Sequence, residues 1–166
     1  MARLFIAQRD FKNALTVLAS VQDLDTQSSE KIQALRLTAE AWRGIDRYDR
    51  AVESLLEVRT LLEKSPEKSP EALTDTYRQL GEDYMRLKNY GKAAGAFLAA
   101  VSREDKSPSP SLLMQLGEAY QKAGHADQAM KTYSRVLTLD DDFWKYLAQE
   151  RLRGMKVATR LRSEGV

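Results

Sequence analysis

The sequence predicts an all-α fold, a solenoid of antiparallel helix hairpins closed by a C-terminal capping helix. Three observations support this fold class. Four segments of the chain repeat one pattern of small and apolar residues. The spacings inside each segment are those of residues on one face of a helix. The composition is 43% hydrophobic and 30% charged with only 4 prolines, which favours a folded, helix-rich chain over a disordered one.

The four copies begin near residues 1, 38, 80 and 116 and align without gaps. They agree at six positions separated by steps of 3, 6, 3, 4 and 3, which in the last copy are Gly117, Tyr120, Ala126, Ala129, Tyr133 and Val136. Steps of 3 and 4 follow one helix face, whereas the step of 6 crosses a turn. Each copy is therefore predicted to be a helical hairpin. Alanine marks the closest approach of the two axes in every copy, at Ala14, Ala51, Ala93 and Ala129.

The pattern predicts the helices in order. They lie near residues 2–9, 11–23, 29–44, 48–64, 70–87, 90–104, 110–123, 126–138 and 142–162. Ser69-Pro70 and Ser109-Pro110 mark two helix starts, because serine caps a helix and proline is tolerated at its first residue. The predicted repeat array covers residues 1–139, with a partial repeat at 1–24 and repeats at about 29–64, 70–105 and 110–139.

Residues 140–166 are predicted to form the capping helix. Its apolar face would contain Trp144, Leu147, Ala148, Met155, Ala158 and Leu161. Six basic residues against two glutamates give residues 143–166 a net charge of +4; the basic residues are Lys145, Arg151, Arg153, Lys156, Arg160 and Arg162. We interpret them as a solvated face, with binding of nucleic acid or an anionic surface as a distant alternative.

The first copy lacks half of its first helix, because Met1 falls just before its small-residue position. We therefore expect the chain to be a piece of a longer protein with further repeats upstream. A natural start with a short cap is the alternative.

The pattern LGxxY, then an aromatic residue, alanine and Phe or Tyr resembles the tetratricopeptide repeat (TPR) family at residues 80–101 and 116–137, although Ala126 replaces the aromatic residue in the second of these segments. The copies are offset by 37, 42 and 36 residues, longer than that family's repeat of about 34. The resemblance implies a right-handed superhelical solenoid. It also implies that the first helices line a concave side that binds an extended peptide or a helix of another protein.

The repeat register places one set of side chains on this concave side. The candidate partner-binding residues are Arg36, Glu40, Arg43, Arg78, Glu82, Met85, Arg86, Met114, Glu118, Gln121 and Lys122. Glutamate stands at three equivalent points, where family members that grip acidic C-terminal peptides need an amide or a base. We therefore expect such peptides to bind poorly. A peptide with both signs of charge, or a helix with apolar anchors near Met85 and Met114, should bind better. The alternative is that Arg36–Glu40 and Arg78–Glu82 neutralise each other within their helices.

Catalysis is not expected. The chain has no cysteine and a single histidine, His125, in a turn. It carries no phosphate-binding glycine loop and no metal-loop spacing. The sequence thus predicts a non-catalytic protein-interaction scaffold without cofactor or metal. The alternative is a self-associating structural domain of a larger assembly. Membranes are not expected as partners, because no apolar run approaches about 20 residues, and the compartment is left open.

Overall fold

The computed structural model describes residues 1–22, 28–65, 69–104 and 108–163. All regular secondary structure in these ranges is helical. The helices are α1 (Ala2–Ala7), α2 (Phe11–Gln22), α3 (Ser28–Gly44), α4 (Tyr48–Lys64), α5 (Pro70–Arg86), α6 (Tyr90–Val101), α7 (Pro110–Lys122), α8 (Ala126–Val136) and α9 (Asp142–Ser163). Every bound lies within three residues of its prediction. The all-α class is confirmed.

The chain forms two compact units, Met1–Lys88 and Asn89–Val166. In the first unit α1 packs on α2 and α3, and α3 packs between α2 and α4. Helix α4 also packs on α5. In the second unit α7 packs between α6 and α8, and α9 packs on α8 and touches α7. Each unit is thus built from successive antiparallel helices. The predicted division at residue 139 stays a prediction.

The four repeated alanines are fully buried. Ala14, Ala51, Ala93 and Ala129 have no exposed surface. Gly117 occupies the small-residue position of the last copy, and a methyl group added there would lie 2.5 Å from the Tyr133 ring. The predicted close approach of the two helices is therefore confirmed for this hairpin, since α7 has no room for a larger side chain at this point.

The hairpin turns share one backbone geometry. Arg9, Asp46 and Lys88 have φ values of 60°, 58° and 58°, and Gly124 has φ 83°. The Arg47 N–H donates to the Trp42 carbonyl at 2.9 Å, and the His125 N–H donates to the Tyr120 carbonyl at the same distance. Such bonds close a helix end with one residue in the left-handed region. The breaks predicted from the sequence at residues 46, 88 and 124 are confirmed.

The predicted helix starts are also confirmed. The Ser69 hydroxyl oxygen accepts a hydrogen bond from the Ala72 N–H at 3.3 Å. Ser109 Oγ accepts from the Leu112 N–H at 3.2 Å. In both helices proline occupies the first turn, where the missing N–H costs nothing. No helix among the described residues is long and apolar enough to cross a membrane.

Candidate functional site

Arg43 on α3 is bound to α5. Its Nε donates to Asp83 Oδ1 at 2.7 Å and its Nη2 donates to Oδ2 at 2.9 Å. Both terminal nitrogens also donate to Gln79 Oε1 at 3.2 Å. The Asp83 side chain is only 3% exposed. Burial raises the pKa of Asp83, and the neighbouring Arg43 partly offsets that rise. The guanidinium of Arg43 therefore holds two helices of the first unit together.

Arg36 lies about two helical turns before Arg43 on the same face of α3. It also contacts α5. Its Nη2 donates to the Ala72 carbonyl at 3.2 Å and to Thr76 Oγ1 at 3.4 Å. These contacts replace the Arg36–Glu40 pair that was the alternative interpretation of the sequence, and Glu40 is exposed. Helix spacing alone could not show this, because it does not give the distance to the next hairpin.

Arg78 on α5 pairs with carboxylates on its own helix. It lies 2.7 Å from Glu82 and 2.6 Å from Asp75. Burial alone would lower the pKa of Arg78, but Asp75 and Glu82 outweigh burial and raise it. The Arg78–Glu82 pair expected from the sequence is thus confirmed. Arg86 is exposed on the same helix and Met85 is half-buried.

The second unit contains the other candidate residues. Lys122 Nζ lies 2.8 Å from Glu118 and 5.7 Å from the centre of the Tyr90 ring. Glu118 raises the pKa of Lys122. Gln121 Oε1 accepts a hydrogen bond from the Tyr133 hydroxyl at 3.2 Å. The charge of Glu118 is therefore largely neutralised within α7.

A cleft of about 250 Å³ lies between α7 and α9. It is lined by Ser111, Met114, Gln115, Glu118, Tyr133, Trp144, Leu147 and Arg151. Sequence reasoning found Met114 and Glu118 but missed the α9 side of the cleft, because it treated α9 only as a cap. One signal was present in the sequence: Arg151 stands where a further copy would have its small residue.

The capping helix was only partly predicted. Ala148 and Met155 are buried, as expected, and Trp144 and Leu147 are half-buried in the cleft. Ala158 follows on the same helix face but is exposed. Leu161 lies outside the residues whose side chains are described. Asp141 Oδ1 accepts from the Trp144 N–H at 3.2 Å and so caps the helix.

The basic residues of α9 do not form one free patch. Lys145 lies 3.4 Å from Asp142, and Arg153 lies 2.8 Å from Glu150. Arg151 lines the cleft. The side chains of Arg160 and Arg162 lie outside the described part. These pairings reduce the positive charge available for a nucleic-acid phosphate.

The described residues contain no group of three or more His, Asp or Glu side chains placed to hold a metal ion. His125 is exposed at the start of α8, with its ring 6.3 Å from that of Tyr120 in an edge-on arrangement.

Comparison with known proteins agrees with this architecture. Residues 78–148 match the tetratricopeptide repeat family model. The solved nearly identical TPR-like repeats of a Podosopora anserina kinesin light chain are 18% identical, with a TM-score of 0.73 over 98% of this chain and 85% of that chain. The structure of MamA is 19% identical, with a TM-score of 0.69 over 95% and 89% of the two chains. These likenesses show the fold.

A sequence relative is the general transcriptional corepressor trfA of Dictyostelium discoideum. It is 26% identical over 128 residues, which are 77% of this chain and 9% of the relative. The chain thus spans a small part of that protein's length.

Proposed function

We propose, from the membership of this chain in the tetratricopeptide repeat family, that it is a non-catalytic module that binds a segment of a partner protein. The repeat fold supports a role in protein–protein interaction in general. The finer part of the proposal is that the bound segment places a large apolar side chain in the cleft between α7 and α9.

The size of the cleft is the observation that carries this proposal. Its volume of about 250 Å³ is below the range of about 300–1,000 Å³ that drug-sized ligands occupy. It fits one bulky side chain better than a whole small molecule. Met114, Trp144 and Leu147 supply apolar walls, and the flexible thioether of Met114 can adapt to different anchors.

The charges at the rim of this cleft favour an acidic residue next to the apolar side chain of the bound segment. Glu118 is already paired with Lys122. Arg151 is exposed and makes no ion pair with any carboxylate of the described residues. An internal aspartate or glutamate beside the apolar anchor would therefore find a partner in Arg151.

In the first unit, the residues proposed to contact a partner are Glu40, Glu82, Met85 and Arg86, with Arg78 held beside Glu82. Arg36 and Arg43 are assigned a different role, because both already donate hydrogen bonds to α5. They position α3 against α5.

The test is selection of binders from a random library of displayed peptides, followed by calorimetric titration of synthetic copies. Selected peptides should share a large apolar residue next to an acidic one. Met114→Arg, which fills and charges the cleft, should weaken their binding by about tenfold or more. Met130→Arg is the matched control, since Met130 is half-buried on α8 and does not line this cleft.

Equal loss in both variants, or binding that Met114→Arg leaves unchanged, would contradict a site in this cleft. Circular dichroism and urea unfolding of each variant confirm that it is folded before binding is compared.

A further inference from the structure

One face of α9 carries exposed apolar side chains. Phe143 is 64% exposed, Tyr146 is 61% exposed and Val157 is 54% exposed. With Glu150 and Arg153 they follow steps of 3, 4, 3 and 4 along the helix. Such alternation of 3 and 4 defines the seam along which two helices of a coiled coil meet. We call these five residues the α9 seam.

The α9 seam faces away from the rest of its unit. The opposite side of the helix is buried through Ala148 and Met155, where α9 packs on α8. The cleft residues Trp144, Leu147 and Arg151 lie between these two sides. The α9 seam is therefore a separate surface from the cleft. Three bulky apolar side chains exposed on one helix face indicate a surface that becomes covered by a partner.

We propose that the α9 seam binds the α9 seam of a second copy of this chain, with the two helices antiparallel. The charges at the middle of the seam are the reason to propose a second copy as the partner. Glu150 and Arg153 lie 2.8 Å apart within one chain, with 42% and 73% of their side chains exposed. In an antiparallel pair, Glu150 of each copy lies opposite Arg153 of the other.

The apolar residues agree with the same register. When Glu150 faces Arg153 of the second copy, Tyr146 faces Val157 of that copy, because one step outward along the seam leads from Glu150 to Tyr146 in one helix and from Arg153 to Val157 in the other. Phe143 then lies opposite position 160, beyond the five residues of the seam. A parallel pair would place Glu150 opposite Glu150 and Arg153 opposite Arg153, and like charges would repel. The seam is therefore complementary to itself in one orientation, as a twofold contact requires.

A charged layer in the middle of a helix pair fixes its register at some cost in stability. The seam is also short, with two charged positions among five. We accordingly expect a weak dimer with a dissociation constant in the micromolar range.

Sedimentation equilibrium of the 166-residue chain, from about 1 to about 500 µM, tests the proposal. The wild type should approach the mass of a dimer. Glu150→Arg and Arg153→Glu should each weaken dimerisation by about tenfold or more, because like charges then face each other. A 1:1 mixture of the two variants should form dimers again, since each charge now meets its opposite.

The chain offers a matched control on α4. Arg50 and Glu53 are also three residues apart, exposed and 2.8 Å from each other. Reversing either charge should leave the dimerisation constant unchanged. Each single change removes only a surface pair within one helix, so folding should persist, and Tyr146→Ser provides a second, uncharged way to weaken the seam.

Three results would overturn the proposal. The wild type could remain monomeric at every concentration. Self-association could be insensitive to Glu150→Arg, as it would be if another face of the chain were used. The mixture of the two charge variants could fail to recover dimers although both variants are folded.

Discussion

Arg43 and Asp83, 40 residues apart in sequence, form a two-pronged ion pair between the first helices of consecutive hairpins. The carboxylate is buried and the guanidinium is 26% exposed. A pair of this geometry is stronger and more directional than a single charged hydrogen bond. It specifies how α3 meets α5, in addition to the apolar contacts of the repeat.

Removing one partner of this pair should be costly. Arg43→Met should lower the free energy of unfolding by about 3 kcal/mol, because it leaves the buried Asp83 carboxylate without its counter-charge. Urea unfolding followed by circular dichroism measures the change. Arg47→Met removes an ion pair of 2.8 Å that is exposed on both sides and should change stability little. Similar losses in the two variants would show that the Arg43–Asp83 pair adds nothing beyond a surface contact.

Asp83 should also give stability a pH dependence. Its pKa in the folded chain is raised above 3.8, chiefly by burial, so the folded state binds the proton more tightly than the unfolded state. The stability that this group contributes is present below pH 3.8 and is lost as the pH rises through the folded pKa. Asp83→Asn removes this pH-dependent contribution to the free energy of unfolding. The stability of wild type relative to Asp83→Asn should therefore fall as pH rises from about 4 to about 7 in urea titrations. A difference independent of pH would contradict the raised pKa.

Gly117 and Gly95 should respond in opposite ways to the same substitution. A methyl group at Gly117 would lie 2.5 Å from the fully buried Tyr133 ring, whereas nothing lies within 4 Å of one at Gly95 in α6. Gly117→Ala should destabilise the chain by about 1–3 kcal/mol through overpacking. Gly95→Ala should stabilise it by about 0.5–1 kcal/mol, because alanine loses less backbone entropy in a helix. Thermal unfolding of both variants measures the difference, and a stabilising Gly117→Ala would show that α7 and α8 can separate freely.

Tyr133 should ionise at unusually high pH. Burial raises its pKa from 10.0 to about 12. Because the folded pKa is higher, the stability from this group is complete below pH 10 and is lost between pH 10 and about 12. Tyr133→Phe should remove, from an absorbance titration at alkaline pH, a phenol that ionises near pH 12. It should also reduce the loss of stability in that range. Loss of a phenol that ionises near pH 10 instead of near pH 12 would contradict the raised pKa.

The fold was predictable because its determinants are local and repeated. Ala14, Ala51, Ala93 and Ala129 recur at one position, and a residue that recurs in a hairpin core must be small and buried in every copy. The helix ends followed from capping residues such as Ser69 and Ser109. The end of α6 was predicted less accurately. The helix ends at Val101, three residues earlier than predicted.

The candidate site was less predictable, because it depends on contacts between hairpins. Spacing placed Arg36 and Arg43 on a common face of α3, but it could not show that α5 comes close enough to receive their hydrogen bonds. Asp83 does not differ in the local sequence pattern from other charged residues, because only the packing of two hairpins buries it. Arg151 belongs to the basic residues interpreted as a solvated face, and only the packing of α9 beside α7 places it in the cleft.

The left-handed turn residues have a consequence for engineering. Arg9, Asp46 and Lys88 adopt φ values near +60°, and only the fourth such turn has glycine, at Gly124. A side chain in this conformation costs roughly 1–2 kcal/mol, which glycine would not. Because hairpins in a repeat protein contact mainly their neighbours, such increments add almost independently. The chain therefore holds three separate positions, Arg9, Asp46 and Lys88, at which a change to glycine should relieve backbone strain.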